Sequence, residues 1–249
     1  MRHIAKPEQP PDSIRDYVIN QTPVGHGLDY DTFASTASPL GGSRGGQLRN
    51  ELIRQQYGLC AYTGAGIDSR VGALNDSNNQ LKFAPHNEHI KPQSVCREEM
   101  IASGRTPGVD LGEDMDHRNI VAALLVSGNG AKVARKHLFG AAFRGTDPVP
   151  LPPTDPSCED RLSFDIQGAI SATDPADQPA TDTINALNLD YEVLRRWREQ
   201  AIGVWLEKIE ARADAEHTID LMTTPTGGQL PEYCFAIRQY VGAILRPSP

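Results

Sequence analysis

Two imidazoles and a carboxylate fall within four consecutive positions, His86-Asn87-Glu88-His89, in the segment Pro85–Ser94 of this chain. In extended backbone alternate side chains share a face, so His86 and Glu88 point one way and His89 the other. A carboxylate beside a histidine has a direct use in hydrolysis. The carboxylate holds a hard divalent cation, while a neutral imidazole takes a proton from attacking water. The cation then offsets charge growing on a phosphate oxygen and on the leaving group. A polar loop whose histidines only cap or hydrogen-bond accounts for the same residues, because histidine fills many structural roles. What separates the readings is whether further groups of the right kind follow.

They do follow, in order: Asp116-His117-Arg118-Asn119-Ile120, then Lys136-His137-Leu138-Phe139-Gly140 and onward to Arg144-Gly145. Lys132, Arg135, Lys136 and Arg144 gather positive charge around His137. A solvated face explains such a cluster, and so does contact with phosphate. His137 is open to two uses, metal ligand or helix cap, and His117 to a structural one. The order Glu-His-Ile-x-Pro, Asn-Ile-Val, then a histidine in a basic Gly-containing stretch resembles the HNH nuclease motif. Similar ordered stretches are Met1-Arg2-His3-Ile4 with Pro10-Pro11, Leu48–Leu52, Gly58–Tyr62, Asp155–Asp165 and Thr183–Leu189. Together, over roughly residues 1–205, they resemble the PtuB-like HNH proteins of Septu and retron-associated anti-phage systems.

The resemblance implies a site. His89 matches the general base that activates water, and Glu88 the acidic metal ligand before it. Asn119 matches the middle Asn that orients the base and braces the fold, and His137 the last metal ligand. Gln93, Lys136 and Arg144 are then candidates for substrate contacts. One divalent cation, Mg²⁺ or Mn²⁺, a DNA substrate and an ABC-type ATPase partner are implied with them. Many relatives carry a CxxC knuckle for a structural Zn²⁺. Here Cys60 stands alone with Thr63 at the second position, and one thiolate does not build a tetrahedral site, so no structural zinc is expected.

The elements that must position these residues are legible in part. Ser13–Val18 suits a short helix, and Ser38–Gly46 reads as a loop. Gln47–Tyr57 has helical spacing, stopped by Gly58. Leu59–Ile67 suits a short strand and turn, Asn75–Asn79 a turn and Leu81–Ala84 a second strand. Arg97–Asp116 reads as a loop with a short helix. Apolar Asn119–Val126 precedes a turn at 127–130, and Ala131–Phe143 forms a helix or an irregular arm. Leu162–Ile170 suits a small hairpin. Leu194, Trp197, Ala201, Val204, Trp205 and Ile209 make one apolar helical stripe, and Tyr233, Ile237, Tyr240, Val241 and Ile244 another.

The expected fold is α+β and helix-dominated, a single domain around a ββα-metal unit between about residues 58 and 145. Residues 1–46 are expected to be an extended or looped arm, 47–150 the nuclease core, and 151–249 a helical region that packs on the core or docks a partner. The formal charge of -8 weighs against a free-standing nucleic-acid binder, leaving local positive charge or a partner to meet phosphates. No apolar run approaches the roughly 20 residues of a membrane span, and the N-terminus lacks the apolar core of a signal peptide, so a cytoplasmic location is expected. Cys60, Cys96, Cys158 and Cys234 show no paired spacing and are expected as free thiols. The function expected is a DNA endonuclease. The alternatives are an inactive HNH-scaffold subunit and a toxin-like nuclease.

Overall fold

Buried Leu81 and Phe83 alternate with Lys82 and Ala84, and this period-two pattern builds the strand that carries the His86–His89 group. The computed structural model describes residues 1–70, 72–76, 79–128 and 133–245, with backbone alone at 72–76, 79, 80, 128 and 244. The expected turns at Asn75–Asn79 and 127–130 fall partly, and Lys132 wholly, outside the described residues. β1 (Gly72–Asp76), β2 (Asn79–His89) and β3 (Ile120–Gly128) form an antiparallel sheet in the order β1-β2-β3. The β2 ladder runs well beyond the expected Leu81–Ala84, ending with Glu88 opposite Val121 and His89 opposite Ile120.

The free edge of β3 is closed by the segment 56–61 instead of by a fourth strand. Gln56 brackets Ala122, its Nε2 donating to Ala122 O and its Oε1 accepting from Ala122 N, both at 2.8 Å. Ala61 N donates to the same carbonyl at 3.0 Å. These contacts occupy backbone groups that would otherwise template another strand. They also correct the strand expected at Leu59–Ile67. That segment is a tight turn with one isolated bridge, Leu59 to Gly66, because Gly64 at φ 74° folds it back on itself.

Ten helices are described: α1 (Asp12–Gln21), α2 (Tyr30–Ser35), α3 (Arg44–Gln55), α4 (Ile67–Arg70), α5 (Gln93–Ala102), α6 (Ala141–Arg144), α7 (Gln178–Ala186), α8 (Glu192–Leu206), α9 (Arg212–Thr223) and α10 (Cys234–Leu245). α3 begins earlier than its apolar spacing suggests because Ser43 caps it, its hydroxyl accepting from Gly46 N. The 131–143 stretch is largely irregular where described, with a 3₁₀ turn at Arg135–His137 before the single turn of α6. The hairpin forms as β4 (Leu162–Phe164) and β5 (Ile170–Ala172).

One core cluster runs from Met1 to Val241. Ile14, Tyr17 and Phe33 belong to it, so the extended or looped segment expected at residues 1–46 carries two helices, α1 and α2, that pack into the core. On the other side, Trp197 of α8 stacks on Phe83 of β2 at 5.4 Å and on Phe139 at 6.0 Å, which seats the C-terminal helices on the sheet. The result is an α+β arrangement dominated by helix. Among the described residues no helix is long and apolar enough to cross a membrane. The four cysteines are buried free thiols.

Candidate active site

The end of β2, the first turn of α2 and the start of α5 meet around a cleft of about 410 Å³ lined by His86, Glu88, His89, Tyr30, Asp31 and Gln93 among others. Strand alternation puts His86 and Glu88 on one face, with His86 Nε2 3.6 Å from Glu88 Oε2. His89 lies on the opposite, buried face beside Asn87.

His89 is 7% exposed, with its ring edge-on to Tyr30 at 4.4 Å. Its Nε2 lies 2.9 Å from Asp114 O. A carbonyl only accepts, so Nε2 carries the proton and the neutral ring presents Nδ1 as its acceptor. Burial holds the imidazole below its ordinary pKa, so the ring is neutral at neutral pH. The Asp114 turn is itself fixed: Asp114 Oδ2 accepts from Tyr30 N at 3.1 Å, and Glu113 O accepts from Asn119 Nδ2 at 3.2 Å.

Asn119 does not line the cleft. Its amide clamps the chain leaving β2, with Oδ1 accepting from Lys91 N at 2.7 Å and Nδ2 donating to Lys91 O at 3.1 Å. It therefore braces both the strand end and the turn that holds His89.

Arg144 is placed differently from the expected phosphate contact. Its guanidinium is 1% exposed and donates to Asp147 O, Tyr62 Oη, Glu88 Oε1, His89 O and Ile90 O, all within 2.7–2.9 Å. A planar fork with five N–H donors suits such a cage, in which Nη1 is shared by Tyr62, Glu88 and His89 while Nη2 meets Ile90 O. The pairing does not keep Glu88 in the ordinary carboxylate range. Burial outweighs the Arg144 charge and pushes Glu88 up to about 7.

Lys136 is exposed on the 3₁₀ turn and is not part of the cleft wall. His137 is not part of it either. Its Nδ1 faces Tyr191 Oη at 3.4 Å, on the side of the C-terminal helices. Glu88 and His137, expected as a ligand pair, are thus not brought together at the cleft. Gln93 does reach it, with Nε2 3.4 Å from Asp31 Oδ1. His117 is structural: Nε2 bonds Pro7 O at 2.8 Å and Nδ1 lies 3.6 Å from Asp116. A larger, mainly apolar groove of about 530 Å³ contains His117, whose Nε2 is committed to Pro7 O.

Tyr30, Asp31 and the Asp114 carbonyl were not singled out from sequence. No local motif marks them, since α2 and the Glu113–Met115 turn reach the cleft only through tertiary packing. Asp31 is held below the usual carboxylate range by Arg97, 2.6 Å away, and more weakly by Gln93.

Among the described residues no three His, Cys, Asp or Glu side chains converge as a metal cage. The donors that fit a divalent cation are Glu88 Oε2 and His86 Nε2. Their 3.6 Å separation is close to the roughly 3 Å between adjacent ligands of an octahedral ion with bonds of about 2.1 Å. Burial holds His86 below its ordinary pKa, with Arg49 adding to the effect, so its ring is neutral as a ligand must be. Two protein donors with water in the other positions is an ordinary arrangement for Mg²⁺.

A scan against protein-family models finds no match for the chain, and no curated protein matches it.

Proposed function

We propose that this chain is a metal-dependent HNH-type phosphodiesterase that cuts DNA, with His89 as its general base. The observation that carries the reading is the His89 Nε2 to Asp114 O hydrogen bond, which commits the ring proton to Nε2 and leaves Nδ1 to accept one in a cleft shared with Glu88. Water bound at Nδ1 gives its proton to His89 as it attacks phosphorus. Glu88 and His86 would hold the divalent cation, which supplies positive charge for the phosphate oxygen and the leaving group. Arg144 fixes Glu88 by Oε1, so that Oε2 remains for the cleft. Asn119 keeps the Glu113–Met115 turn, and through it the imidazole, in place.

Plasmid DNA incubated with the purified protein and Mg²⁺ or Mn²⁺ tests this. His89→Ala is expected to lower cleavage by about 10²–10⁴-fold, with the protein still folded by circular dichroism at the assay temperature. A variant as active as the parent removes His89 as the base.

One observation favours a second reading, a scaffold subunit of low activity: His137 is apart from the cleft, and among the described residues no third His, Cys, Asp or Glu joins Glu88 and His86 in a metal cage. Assembly with an ABC-type ATPase, and a role in anti-phage defence, come from the sequence resemblance and belong to either reading. A thermal shift with Mn²⁺ or Mg²⁺ that Glu88→Gln abolishes supports the enzyme. No shift in the parent supports the scaffold.

A further inference from the structure

Arg49 of α3 carries a charge with no counter-ion among the described residues. Among the described residues no hydrogen bond or ion pair engages its half-buried guanidinium. The side chain runs back toward the start of α3, as helical side chains lean, and its Nη2 comes within 3.8 Å of where a Cβ on Gly46 would stand. That first turn is bound to the cleft strand, because Asn87 Nδ2 donates to Gly45 O at 2.7 Å. It also packs tightly on α2, where a Cβ on Gly45 would come within 3.0 Å of Ala34. The Arg49 charge accordingly reaches both His86 and Tyr30, two residues of the cleft wall.

The other arginines near the cleft are committed. Arg144 pairs with Glu88 and Arg97 with Asp31. With those carboxylates already matched, Arg49 is surplus positive charge beside the cleft, in a chain whose formal charge is -8. A planar cation of this kind is suited to two parallel hydrogen bonds with a phosphate.

We propose that Arg49 binds a backbone phosphate of the substrate on the His86 side of the cleft, the role that the sequence resemblance implies for Arg144 and Lys136. The inference rests on the phosphodiesterase reading and names the group that holds the polyanion there.

The test uses His89→Ala protein, which binds without cutting, and a fluorescent oligonucleotide duplex titrated by anisotropy at several salt concentrations. Adding Arg49→Gln is expected to weaken binding about tenfold near 0.1 M salt and to flatten the salt dependence by about one unit of slope. Arg49→Lys keeps the charge and is expected to keep the slope. Arg54→Gln, which removes an exposed charge from the same helix, is expected to change neither. Unchanged affinity and slope in Arg49→Gln, or an equal loss in Arg54→Gln, overturns the inference while leaving the phosphodiesterase reading intact. Failure of the His89→Ala parent to bind at any salt overturns the phosphodiesterase reading itself. In the unmutated protein without metal, the duplex is expected to slow phenylglyoxal modification of Arg49, read by peptide mass. An unaltered rate counts against Arg49 with no variant involved.

Discussion

Glu88 shows how strongly one buried side chain can couple to pH. Its folded-state pKa, pushed up to about 7 by burial, lies above the ordinary value of 4.5. The folded protein therefore keeps a proton that the unfolded chain releases, and folding weakens as pH rises from about 4.5 through 7. With 1.36 kcal/mol per unit, the loss is of the order of 3 kcal/mol. Glutamine has no proton to lose. In EDTA, the stability of wild type relative to Glu88→Gln is expected to fall by about that amount between pH 4.5 and 8. Denaturant midpoints of both proteins measured across this range check it, and parallel curves would show that Glu88 titrates normally. The effect belongs to the metal-free protein, since a bound cation favours the ionised carboxylate and offsets the loss.

At the scale of the element, the end of β2 is held by side chains as well as by its ladder. Beyond His89 the chain leaves the sheet, and its carbonyls at His89 and Ile90 are taken up by Arg144 from α6. Arg144→Met keeps an apolar stem of similar length but removes every one of these donors and strands Glu88 as an unpaired buried acid. A cost of about 3–5 kcal/mol is expected, as for other broken buried pairs. Cleavage should be lost as well, because Glu88 and the strand end lose their common anchor. A denaturation curve within 1 kcal/mol of wild type would mean that the cage contributes little. The helix propensity of α6 matters less than this cage, since a four-residue helix is not stable by itself.

Across the whole molecule the cleft depends on a core shared by every region of the chain. Trp197 joins the C-terminal helices to the sheet through Phe83 and Phe139, and residues of 151–249 share one core cluster with the sheet, so a single cooperative unit is expected. Trp197→Ala is expected to cost about 3–5 kcal/mol by the cavity it leaves, and to destabilise the cleft residues and the helices together. Far-ultraviolet circular dichroism and a fluorophore near the cleft should then report the same midpoint. Two separate transitions would divide the chain into independent domains.

Local periodicity made several parts of this protein readable in advance. The alternation that separates His86 and Glu88 from His89, the Leu194 and Trp197 part of the α8 stripe, and the Leu162–Ile170 hairpin depend on neighbours in sequence, so the residue order is enough to specify them. Val204, in contrast, is exposed, and Ile209 lies beyond the end of α8. α9 was missed because its buried face is Ala215, Thr218 and Met222, too small and polar to make an apolar stripe. The membership of the cleft was beyond such rules. Whether Glu88 meets His137 or His86, whether Arg144 faces solvent or fills a cage, and whether Tyr30 and Asp114 reach His89 all depend on contacts between distant segments. The Glu88-His89 pair was thus determined by the sequence alone. Its partners were decided by tertiary packing, because burial and hydrogen-bond geometry, not spacing along the chain, select which groups meet.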